Sequence, residues 1–160
     1  MSFPNDITCA CACVISDAGL VLAVTRRDTL DQWGLPGGKM NYGETPLDAA
    51  IRETHEETGM YLGLPNLICD PISLREEDHI YTGRCYLGQR YNDPTPDADF
   101  VITSTYLWKG PTNIMRPVET EEGITVRWVG FPRLLEGPFG RYNMYLFQEI
   151  LRRAKYDWTE

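Results

Sequence analysis

Four glutamates crowd into the stretch GGKMNYGETPLDAAIRETHEETGM, residues 37–60: Glu44, and then Glu53, Glu56 and Glu57 within five residues. Like charges three and four apart on a helix repel by about a few tenths of a kcal/mol per pair. Clustered carboxylates also raise one another's pKa unless a cation is present. Carboxylate oxygens are hard donors of the kind that suit Mg²⁺ or Mn²⁺, so a divalent ion would turn the repulsion into coordination. Arg52 and His55 are the cations inside that turn. The plain alternative is a solvated acidic face, the common fate of a Glu-rich helix surface.

The element that positions these acids is a helix. Thr45 suits its N-cap, Pro46 its first turn, Asp48 stands three residues after the cap, and Gly59 is a natural stop. These signals predict a helix over 46–58. At 100° per residue, Leu47, Ala50, Ile51, Thr54 and Thr58 gather on one side. Ala49, Glu53, Glu56 and Glu57 gather on the other. The acids sit toward the C-terminal end, where the macrodipole disfavours negative charge. A Gly-rich loop precedes the helix, and there backbone can approach a ligand closely. Both features weigh against a merely solvated face.

The segment resembles the Nudix box, Gly-x5-Glu-x7-Arg-Glu-U-x-Glu-Glu-x-Gly-U, with U a bulky apolar residue. Gly38, Glu44, Arg52, Glu53, Glu56, Glu57 and Gly59 fall on its fixed positions, and Met60 closes it. Seven fixed residues coincide by chance in on the order of one window in 10⁸. Thr54 departs, standing where the family carries Ile, Leu or Val; the expectation is altered packing without loss of chemistry. The resemblance implies an α/β fold, an α/β/α sandwich with a mixed curved sheet between helices, filling residues 1–160 as one domain. It implies Mg²⁺- or Mn²⁺-dependent hydrolysis of a nucleoside diphosphate linked to another group. Glu56 and Glu57 are then metal ligands, with Gly38 offering its carbonyl. Glu53 is a third ligand or the general base. Arg52 orients carboxylates by pairing with Glu44 or Glu56. The run ETEEG supplies Glu119, Glu121 and Glu122, and Glu122 is the further ligand or base expected there, an exposed acidic loop being the alternative.

Substrate identity is less legible. QWGLPGGKMNYGE is similar to the branch acting on nucleoside triphosphates, including oxidised dGTP. ADP-ribose or another nucleotide sugar is the alternative substrate, and a non-catalytic nucleotide sensor the third reading. Asn143 and Phe139, in GPFGRYNMYLF, are base-contact candidates through the same resemblance. Trp33 and Tyr81 are further stacking candidates, with ordinary core packing as the default for both.

The remaining sequence bounds the class. A chain of 160 residues is one domain's worth. A net charge of −8 without a basic run speaks against long nucleic acid or anionic membrane as partner, leaving a small nucleotide screened by a cation. No apolar run reaches a membrane span and no leader is visible, so the expected location is cytoplasmic. Homodimerisation is left open. Cys9, Cys11 and Cys13 would share one face of an extended strand and read as small buried apolar residues. Strands are expected over 7–15, 20–26, 67–75, 79–87, 100–109 and 124–129, a loop over 28–38, a helical turn at FPRLLEG and a last helix over 141–156.

Overall fold

Local chemistry at both ends sets the limits of the first helix. Thr45 is extended, and its hydroxyl accepts from the Asp48 N–H at 3.1 Å while the Asp48 carboxylate accepts from the Thr45 N–H at 3.3 Å. This reciprocal box satisfies two donors that a helix start leaves without partners. Gly59 adopts φ 78°, and its N–H donates to the His55 carbonyl at 2.9 Å. In the computed structural model, which describes residues 7–26, 29–62, 73–86, 92, 100–110 and 124–157, α1 is Pro46–Thr58.

Around it the described residues form one sheet of seven strands: β1 Ile7–Ser16, β2 Val21–Arg26, β3 Thr29–Gly34, β4 Gly37–Lys39, β5 His79–Tyr86, β6 Phe100–Gly110 and β7 Val126–Val129. The order is β3-β2-β1-β6-β5, with β4 also pairing β1 and β7 also pairing β2. The β1–β6 pair is parallel and the rest are antiparallel, so the sheet is mixed. Helices α2, Pro132–Leu135, and α3, Gly140–Asp157, follow.

Alternation along β1 sorts the core into two layers. Ala10, Ala12 and Val14 pack with Ala49 and Ala50 of α1 on one face. Cys13 packs with Leu134, Tyr142 and Leu146 of α2 and α3 on the other. The result is the expected helix–sheet–helix sandwich. Cys11 and Cys13 are buried and serve as small apolar residues, Cys9 is half-buried, and Cys69 lies outside the described residues.

Three expectations need correction. The segment expected as a loop over 28–38 contains β3 and β4. Strand β3 is an edge strand, where a polar residue such as Gln32 is tolerated. Strand β4 is only three residues long and glycine-rich, because the chain presses against β1. A Cβ on Gly37 would stand 2.5 Å from the Ala10 carbonyl oxygen and 2.7 Å from Cys11 Cα. Ala49, placed by the helical wheel beside the glutamates, is fully buried, because β4 and β1 both pack on α1 and close over that side. The strand expected over 67–75 falls mostly outside the described residues, and residues 73–75 are not strand.

Candidate active site

The parity of the β1–β4 ladder decides which backbone groups face α1. Met40 N–H donates to the Thr8 carbonyl at 2.9 Å and Ala12 N–H to the Pro36 carbonyl at 3.0 Å, with Ala10 opposite Gly38 between them. Hydrogen-bonded and non-bonded pairs alternate in antiparallel strands, so the Ala10–Gly38 pair is a bonded rung. Gly37 and Lys39 therefore turn their backbone groups away from β1. Both are met from α1: Gly37 N–H donates to Glu57 Oε1 at 2.7 Å, and the Lys39 carbonyl accepts from Arg52 Nη2 at 2.9 Å.

Gly38 meets α1 through its bare Cα. A Cβ there would lie 2.7 Å from both Cδ and Oε1 of Glu53. Glycine at this position is what allows the Glu53 carboxylate to lie against the strand.

Arg52 holds the acids together. Its Nε and Nη2 grip both oxygens of Glu44, at 2.7 and 2.9 Å. Nη1 donates to Glu53 at 3.0 Å and to both oxygens of Glu56 at 3.3 Å. Glu44 also accepts from the Asn41 N–H at 2.7 Å, which ties the loop before α1 to the same guanidinium. The Arg52 hydrogen bonds hold the Glu44 carboxyl below its ordinary range, and Glu44 in turn raises Arg52. Expected pairings with Glu44 and Glu56 are thus both present. His55 takes no part; its ring meets Tyr61 edge-on at 5.7 Å.

These residues answer the crowding of the acids. One cation threads Glu44, Glu53 and Glu56, and a backbone N–H engages Glu57. Among the described residues no three His, Cys or carboxylate side chains converge into a preformed cation site. The donor chemistry nonetheless fits a hard divalent ion: carboxylate oxygens from Glu53, Glu56 and Glu57 beside strand backbone that a Cβ at Gly38 would obstruct.

Thr54, the departure from the box, is fully buried and donates to the Ala50 carbonyl at 2.7 Å. Thr58 repeats the arrangement on the Thr54 carbonyl at 2.6 Å. Each buried hydroxyl is satisfied within its own helix, so the core layer accepts it.

A cleft of about 540 Å³ opens beside Glu57, with Gly37, Gly38, Lys39, Leu35 and Phe139 among its walls. A smaller recess of about 70 Å³ shares Cys9, Leu35, Gly37, Gly38 and Phe139 with it and runs on to Cys11, Thr103, Tyr142 and Asn143. Phe139 and Asn143 thus stand at this cavity. Asn143 is also a tie between helices, its amide nitrogen donating to the Leu134 carbonyl at 3.2 Å. Trp33 and Tyr81 are not among the cleft walls. Trp33 packs against the core layer under α2 and α3, and Tyr81 lies 5.3 Å from the Tyr142 ring in that layer. Glu119, Glu121 and Glu122 lie outside the described residues. Sequence reasoning missed the roles of Gly37 and Lys39. The doubled glycine was a visible signal for the first; only the strand register shows the second.

A sheet sandwiched between helices, with an arginine-threaded glutamate set on α1 and Glu57 beside it at a cleft, defines a class, and the NUDIX domain model matches residues 7–146. The chain belongs to the NUDIX domain family. It is 34% identical over 87 residues to a provisional 8-oxo-dGTP diphosphatase of Bacillus subtilis, covering 53% of this chain and 58% of that one. It is 45% identical over 60 residues to an RNA pyrophosphohydrolase of Brucella anthropi, covering 32% of this chain and 34% of the relative. The chain thus spans about half or less of the length of these relatives. A MutT protein from Methanosarcina mazei Go1 superimposes with a TM-score of 0.65 at 19% identity, over 95% of this chain and 99% of that one. That likeness concerns the fold. No helix among the described residues is long and apolar enough to cross a membrane.

Proposed function

We propose that this chain is a hydrolase that cleaves a nucleoside triphosphate, oxidised or not, to the monophosphate and pyrophosphate, with Mg²⁺ or Mn²⁺ as cofactor. The observation that carries the reading is the placement of Glu57 at a cleft large enough for a nucleotide, within one helical turn of Glu53 and Glu56, which Arg52 organises. The name of the Bacillus subtilis relative agrees with it.

Glu56 and Glu57 would hold the ion with Glu53 beside them. Ladder parity favours Gly37 over Gly38 as the backbone carbonyl on that side, because Gly38 spends its backbone on Ala10. When bound, a divalent ion neutralises charge on the phosphate oxygens and makes a water more acidic. The protein's own part is positioning. Arg52 keeps Glu53 and Glu56 in one orientation, and Glu44 keeps Arg52 in place. Glu53 either completes the donor set or takes the proton of the attacking water. Phosphoryl chemistry needs mainly such positioning and electrostatic support. Glu122 is proposed as a further ligand or base from the acidic run ETEEG that precedes β7 in sequence.

The test is a panel of nucleoside triphosphates, ADP-ribose and a short 5′-triphosphorylated RNA, assayed with Mg²⁺ and with Mn²⁺ and with products separated by chromatography. Pyrophosphate released from a triphosphate supports the reading. Cleavage of ADP-ribose or RNA alone contradicts it.

A further inference from the structure

The hydroxyls facing α3 from β6 differ in one respect. Thr105 Oγ1 pairs with Cys11 Sγ at 3.0 Å and with Tyr142 Oη at 2.6 Å. Tyr142 Oη donates to the Thr103 carbonyl at 3.1 Å, which pins the strand at that residue. Thr103 itself is 6% exposed, and its Oγ1 has no hydrogen-bond partner among the described residues. Buried hydroxyls are paired in the great majority of cases, and leaving one without a partner is costly. This one belongs to the wall of the recess, which Phe139 also lines.

The register explains how it comes to be there. Cys9 lies opposite Thr103 and Cys11 opposite Thr105 in the parallel β1–β6 pair, so these side chains share the face toward α3. Cysteine at positions 9 and 11 leaves room that a larger aliphatic residue would fill. Its walls also include Leu35, Phe139, the two cysteines, and Tyr142 and Asn143, whose hydroxyl and amide nitrogen already donate to the Thr103 and Leu134 carbonyls; it continues from the cleft beside Glu57. Its volume admits several waters, at roughly 10–15 Å³ each, or the edge of a planar ring.

We propose that the recess receives the hydrogen-bonding edge of the substrate's nucleobase, and that Thr103 Oγ1 is the group that reads it. The inference rests on the nucleotide reading above and adds the specificity-determining residue. A hydroxyl offers one donor and two acceptor positions, so it selects bases that carry a polar group on the inserted edge. A site built around such a bond rejects an analogue that lacks it, because the hydroxyl is then left buried and unpaired.

The experiment measures binding of GMP, AMP, CMP and benzimidazole riboside 5′-monophosphate, whose six-membered ring carries neither nitrogen nor polar substituent, by calorimetry, beside triphosphate turnover. The proteins are wild type, Thr103→Val and Thr103→Ser. Valine keeps the shape and removes the hydroxyl. The expected result is an approximately tenfold weaker affinity of Thr103→Val for the tightest-binding natural nucleotide, with the benzimidazole nucleotide unchanged. Thr103→Ser keeps the wild-type order, and the melting temperature of Thr103→Val is equal or higher. Identical affinity ratios in wild type and Thr103→Val overturn the proposal, as does a failure of every nucleotide to bind. If Thr103-dependent binding is found without hydrolysis, the proposed reaction falls and the subsite stands. If hydrolysis proceeds with unshifted selectivity, the subsite falls and the reaction stands.

Discussion

Arg52 grips Glu44 with two nitrogens at once, Nε on Oε2 at 2.7 Å and Nη2 on Oε1 at 2.9 Å. The pair spans eight residues and joins the loop before α1 to the middle of the helix. Planar, bidentate geometry of this kind fixes direction as well as distance. Nη1 is thereby aimed at Glu53 and Glu56. Glu44 thus acts on the acids through Arg52.

The Glu44–Arg52 pair makes a pH-dependent contribution to stability. The carboxyl titrates lower in the folded chain than in the unfolded one. The contribution is therefore complete above the unfolded value of about 4.3 and is lost as pH falls through the folded value. Glu44→Gln is expected to lower stability at pH 7 by about 1 kcal/mol, a few degrees in melting temperature. Thermal melts between pH 7 and pH 3 should show the gap to wild type closing toward the acid end. A gap that widens in acid contradicts the assignment.

The two glycines of β4 should fail in different ways. At Gly37 a methyl group meets backbone of β1, which cannot move aside. Gly37→Ala is expected to cost about 2–3 kcal/mol of stability. At Gly38 the methyl meets the Glu53 carboxyl, a mobile side chain. Gly38→Ala should melt near wild type while losing most of its turnover, because Glu53 must leave its place. Chemical denaturation and steady-state kinetics on both variants separate the two cases.

Thr54 should be replaceable. Its hydroxyl bonds a carbonyl of its own helix within the fully buried layer. Thr54→Val removes that bond and buries a methyl in its place. The expectation is a change within about 1 kcal/mol and unaltered kcat/KM. A large loss of activity would mean that this buried position communicates with the acids.

The cysteines of β1 should be slow to react. Burial pushes the Cys9 thiol up to about 11 and the Cys11 thiol up to about 12, and raises Cys13 further. Little thiolate then exists at pH 8, and thiolate is the reactive form. Alkylation followed by mass spectrometry should find Cys9 modified slowly, and Cys11 and Cys13 modified only on unfolding. Rapid labelling of Cys11 in the folded chain contradicts the packing described.

Helix α1 was legible to the residue because every signal that bounds it is local: Thr45, Pro46, Asp48 and Gly59 all act within one turn. The acidic set was legible because four glutamates, an arginine and two glycines kept fixed spacing. Strand β4 was hidden for the opposite reason. Gly37 lets the strands approach and Gly38 makes room for Glu53, and glycine in sequence reads as loop. Thr103 gave no sequence signal at all. Its place beside Cys9 follows from a parallel pairing between residues 94 apart, which no local pattern encodes. Trp33 and Tyr81 illustrate a related limit, since an aromatic side chain looks the same in sequence whether it stacks on a ligand or fills a core.

The proposed reaction gives the glutamate face of α1 one task, to hold a divalent ion against a nucleotide's phosphates. Glu57→Gln tests it most directly, because the amide oxygen can still accept from the Gly37 N–H and the fold should persist. Pyrophosphate release with Mg²⁺, measured beside Mn²⁺ binding by electron paramagnetic resonance, is the decisive comparison. Turnover should fall by at least about a hundredfold and Mn²⁺ binding should weaken in parallel, with an unchanged melting temperature. Wild-type turnover and wild-type Mn²⁺ binding in Glu57→Gln would contradict it.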